Sequence, residues 1–115
     1  MDIRDAFKLT WEQAVLKVAL LDNVEIFPEQ RTIIRTTKIS GYPVAEFCML
    51  FGEYETPQII STRFEPDAML VSAWLHVLSQ RKRLSEDGIT SKVIPQRGLL
   101  QCTYMKRDFI KQFAQ

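Results

Sequence analysis

Hydrophobic and polar positions change their period several times along this chain, and each change marks an element. In "TWEQAVLKVALLD", residues 10–22, Trp11, Ala14, Val15, Val18 and Leu21 recur at helical spacing. Thr10 followed by Gln13 has the spacing of a capping box, which places the helix start. Leu16, Ala19 and Leu20 widen the apolar surface until only Glu12, Gln13 and Lys17 interrupt it. A helix so apolar around its girth is covered on more than one side, either inside the fold or at a subunit interface. Ile3 and Phe7 lie one turn apart just before it, in a short helix or in the first turns of the same one.

Beyond "NVEIFPEQ" the texture turns to β-branched and aromatic residues. The runs "RTIIRTTKI", "PVAEFCMLF" and "QIISTRF" are separated by the turn-rich "SGYP" and "GEYETP" and predict three antiparallel strands. In the second run Ala45, Phe47, Met49 and Phe51 share one face while Val44, Glu46, Cys48 and Leu50 share the other, so both faces are at least partly covered. A second helix follows over residues 65–84, with Pro66 in its first turn and Asp67 at the positive end of its dipole. Leu70, Val71, Trp74, Leu75, Val77 and Leu78 form its apolar stripe, and His76 falls on the opposite, solvated side. Two more strands, "ITSKVI" and "GLLQCTYM", flank the hairpin loop "PQRG". Phe109, Ile110 and Phe113 then make the apolar stripe of a last short helix.

The order α-β-β-β-α-β-β-α implies an α+β fold, a largely antiparallel five-stranded sheet with three helices, in a single domain over residues 1–115. This order is similar to that of small dimeric secretion chaperones, which bind extended segments of their clients. The similarity is one of topology, carries no residue motif, and departs from the acidic character of those proteins.

Composition adds little to the class: 46% apolar and 25% charged residues are ordinary for a globular protein. No apolar run approaches a membrane span and the N-terminus lacks a signal-peptide core, so a soluble, cytoplasmic protein is the expectation. Cys48 and Cys102 sit in apolar surroundings and read as buried free thiols.

Net charge is only +1, but it is unevenly spread. From Arg81 onward eight basic residues face three acidic ones, for +5, which leaves −4 on the first eighty. Arg81, Lys82 and Arg83 follow the apolar stripe of the second helix, so the helix is expected to end or leave the core near Gln80. Basic residues there complement the negative end of the dipole without any ligand. Together with Arg97, Lys106 and Arg107 they could alternatively form one positive face for a nucleic-acid backbone, with Tyr104 as a stacking surface.

For catalysis the chain offers no nucleophile elbow, zinc-protease motif or phosphate-binding loop, and its four glycines are scattered. Glu53 and Glu55 beside Tyr54 read as a solvated turn. A single histidine cannot build a His-rich metal site. No enzyme, cofactor, metal or small-molecule substrate is therefore expected. The favoured function is protein–protein contact, as a homodimer or a small accessory or adapter subunit, with Phe7, Trp11, Val15 and Val18 of the first helical region as the interface. A nucleic-acid-binding accessory protein is the alternative.

Overall fold

A computed structural model of the chain describes residues 3–39, 42–64, 70–96 and 99–113. It is an α+β fold with four helices and a six-stranded antiparallel sheet, in the strand order β1-β2-β3-β4-β6-β5. The elements are α1 (Ile3–Ala6), α2 (Trp11–Val18), β1 (Val24–Phe27), β2 (Thr32–Ile39), β3 (Tyr42–Leu50), β4 (Ile59–Phe64), α3 (Leu70–Glu86), β5 (Ile89–Gln96), β6 (Leu99–Lys106) and α4 (Arg107–Phe113). The class matches the expectation, but the counts differ from the expected five strands and three helices. The additional strand is β1, and the additional helix is α1, which closes on its own before α2 begins. The chain divides into two compact units, Met1–Ile60 and Ser61–Gln115.

In the first unit α2 starts where the capping box places it. Thr10 Oγ1 accepts from the Gln13 N–H at 3.3 Å, and the Thr10 N–H donates to Gln13 Oε1 at 3.0 Å. The helix ends at Val18, four residues short of the predicted Asp22, because the chain turns through Asn23 at φ 60° into β1. A four-residue strand between an asparagine and a proline is too short to show alternation, which is why β1 escaped the pattern.

The core of this unit lies where Ile33 of β2 faces Met49 of β3, joined by Phe51, Ala6, Phe7, Ala14 and Val18, all buried. Trp11 meets Phe51 edge to face with ring centroids 5.3 Å apart, and the Arg31 guanidinium lies 5.8 Å from the centre of the Trp11 ring. The β2–β3 register shifts between Arg35 and Thr36, whose partners are Phe47 and Ala45. Glu46 is thus the extra residue of a bulge, and its carboxylate reaches Arg35 Nε at 3.5 Å. That bulge corrects the simple alternation expected along this strand: the face shared by Phe47 and Met49 does not continue by twos through Glu46 to Ala45.

In the second unit the β5–β6 hairpin pairs Ser91 with Tyr104 and Val93 with Cys102. Cys102, Tyr104 and Ile89 are buried on that face, and α3 packs on β5 with Leu84 wholly enclosed. Pro66, Asp67 and Arg97 lie outside the described residues, as do the side chains of the predicted stripe from Leu70 to Val77, that of His76 included.

Candidate functional site

Of the two outcomes expected near Gln80, that the second helix ends or that it leaves the core, the first is overturned, while Arg81, Lys82 and Arg83 are exposed. α3 runs on to Glu86, and Arg81, Lys82 and Arg83 are interior to it, with the buried Leu84 beyond them. The chain can continue because the stripe resumes at Leu84 while Arg81 leans across β5, its Nε donating to Ser91 Oγ at 3.4 Å. The helix stops through Gly88, whose φ of 77° is the left-handed conformation that favours glycine, and whose N–H donates to Ser85 C=O at 3.1 Å. Arg107 adds a second donor to that same carbonyl through its guanidinium.

The six basic candidates are consequently used in different ways. Arg107 is turned to the end of α3 and Arg81 to β5. Lys106 is half-buried, and burial lowers its ammonium pKa from the ordinary 10.5. Lys82 and Arg83 are exposed on α3, and Arg97 lies outside the described residues. Tyr104, offered as a stacking surface, is only 2% exposed and points into the core of its unit. Burial pushes its phenol well above the ordinary tyrosine value, and the adjacent Cys102 thiol adds to the shift.

The four interface candidates divide between inside and outside. Phe7 and Val18 are buried in the core of the first unit, Trp11 is half-covered by Phe51 and Arg31, and Val15 is half-buried. The large apolar side chains exposed in the first unit are others, and Leu78, Ile94 and Ile110 are exposed in the second. Leu20 is 96% exposed and Leu16 75%, and Leu21, Ile26 and Phe27 are also exposed. The expected interface residues follow the inward stripe of α2, the more regular pattern, rather than Leu16 and Leu20, which widen it. The signal for these was present: a surplus of leucine on a helix whose one face already fills a core.

These residues belong to two elements. Leu16 and Leu20 are one turn apart at α2 and the turn that follows it, and Ile26 and Phe27 belong to β1, which is bonded on one side only. Phe27 shares a face with Glu25, and Ile26 shares the face of its partner Ile33. Glu12, Lys17 and Glu25 are exposed charges in the same stretch of chain. Elsewhere Glu53 and Glu55 are exposed, as expected of a solvated turn. Among the described residues no group of three or more His, Cys, Asp or Glu is placed to hold a metal ion, and no helix is long and apolar enough to cross a membrane.

Compared with protein-family models, curated proteins and solved structures, the chain gives no significant match in any of the three.

Proposed function

We propose that the protein is a non-enzymatic protein-interaction module, a small accessory or adapter subunit acting through self-association or within a larger complex. The exposure of Leu16 and Leu20 carries this reading, beside Leu21, Ile26 and Phe27 in the same unit. Single exposed apolar residues are ordinary, but five within one helix–turn–strand segment, led by two leucines one turn apart, are a surplus that a partner's contact would cover. Covering a leucine side chain is worth roughly 1.5–3 kcal/mol, so a partner seated on both leucines recovers a substantial part of the cost of association. This moves the interface from the inward stripe of α2 to its outer side.

The test is capture of partners by the tagged full-length chain, with and without nuclease, beside the Leu16→Asp/Leu20→Asp variant. Protein partners that survive nuclease and are lost with the variant are the expected result. Partners that disappear with the nucleic acid, and persist in the leucine variant, would transfer the function to the exposed Lys82 and Arg83 and end the present reading.

A further inference from the structure

The two strands at the ends of the strand order, β1 and β5, reveal which of their backbone groups are unpaired. The Thr36 N–H donates to Asn23 C=O at 3.1 Å, one step beyond the Val24↔Arg35 pair and in the same register. Opposed residues in antiparallel strands alternate between bonded and non-bonded pairs. Asn23, Glu25 and Phe27 therefore bond toward β2, while Val24 and Ile26 turn their N–H and C=O groups outward. The Arg107 N–H likewise donates to Gly88 C=O at 2.8 Å, one step beyond Ile89↔Lys106. Thr90, Lys92 and Ile94 thus bond toward β6, and Ile89, Ser91 and Val93 turn outward. Pro95, which has no N–H, takes the next outward position, as proline does on an edge.

We infer that the β1 edge of one copy pairs antiparallel with the β5 edge of a second copy, Val24 opposite Val93, Glu25 opposite Lys92 and Ile26 opposite Ser91. This rests on the protein-contact reading above and names its partner as the chain itself. The register follows from three constraints. Bonded pairs must join outward residues to outward residues, and Val24–Val93 and Ile26–Ser91 do so at both positions. A shift of two residues one way sets Val24 against Pro95, which has no donor. A shift the other way sets Glu25 against Thr90 and forgoes the pairing of opposite charges. Glu25 and Lys92 are both exposed, and directly opposed unlike charges stabilise a strand pair.

The faces agree as well. Ile26 stands on the face of Ile33, the core face of its unit, and Val93 on the face of Cys102, the core face of the other. Self-pairing of β1 is poorer, because the register that uses Val24 and Ile26 sets Glu25 against its own copy. Whole-unit charge points the same way. The first unit has six basic and nine acidic residues and the second nine and five, so unlike units attract where like units repel. Each copy has one edge of each kind, so the contact is head-to-tail and produces rings or open chains rather than a two-fold dimer.

Sedimentation velocity of the full chain over a concentration series tests this with Glu25→Lys, Lys92→Glu and the two combined. Wild type is expected to populate species larger than a dimer. Each single reversal is expected to weaken association by roughly three- to tenfold, and the double variant to restore it. Circular dichroism should show all four folded, since both side chains are exposed. A chain that stays monomeric throughout would overturn the proposal and identify Lys92 and Pro95 as edge-blunting devices. Association unmoved by Glu25→Lys would also overturn it, as would a double variant that fails to recover. If association then vanishes in Leu16→Asp/Leu20→Asp, the edge pairing fails while the protein-contact reading stands.

Discussion

At the scale of single residues, apolar character and burial part company at the end of α2. Val18 is 4% exposed and Leu20 96%, although both are aliphatic and two positions apart. Aspartate at each position separates their roles. Val18→Asp places an unpartnered carboxylate in the core beside Ala14, and is expected to cost roughly 3–5 kcal/mol. Leu20→Asp is expected to change stability by no more than about 0.5 kcal/mol, as exposed substitutions usually do. Urea unfolding of both variants at low protein concentration measures the difference. A large loss at Leu20 would mean that the residue is covered in the free chain, and it would then be unavailable to a partner. Trp11 stands between these extremes: its edge-to-face contact with Phe51 lies within the unit, so its substitution disturbs folding and association together.

At the scale of elements, local chemistry was legible wherever it acts over a few residues. Thr10 and Gln13 announced the start of α2, and the structure forms both hydrogen bonds of the box. Thr10→Ala is expected to destabilise the first unit by about 1 kcal/mol, read as a lower urea midpoint with an unchanged slope. An unchanged midpoint would mean that water replaces the cap without loss. The strands at residues 32–39, 59–64 and 99–106 were equally readable from β-branched runs between turns. What escaped depends on distance in sequence. The bulge at Glu46 serves an ion pair with Arg35 on the neighbouring strand. The last turn of α3, beyond the expected Leu84, is held by Arg107 of α4, whose guanidinium donates to the Ser85 C=O near the helix end. The candidate interface was legible in kind, as surplus apolar surface on the first helix, but not in its residues. Which side of α2 the sheet covers is decided by Ile33, Met49 and Phe51, more than ten residues downstream.

At the scale of the whole molecule, the buried and half-buried titratable groups among the described residues set how stability responds to alkali. Burial raises the pKa of Cys48, Cys102 and Tyr104, because each anion would lose its hydration in the fold. Above the ordinary thiol value of 9.0 the unfolded chain releases protons that the folded chain retains. The folded state then binds more protons, and stability falls as pH rises. Tyr104 extends the fall above its ordinary value of 10.0. Lys106 opposes it: the folded chain gives up this proton first, so between its lowered value and 10.5 stability rises with pH. Three groups acting against one lower the urea midpoint on going from about pH 8 to about pH 10.5. Tyr104→Phe removes the steepest part of the decline above pH 10, at the cost of the hydroxyl's buried contacts at neutral pH. A wild-type midpoint that holds level or rises over this range would show that Lys106 dominates, and that the Cys102–Tyr104 pair is better hydrated than its enclosure in the second unit implies.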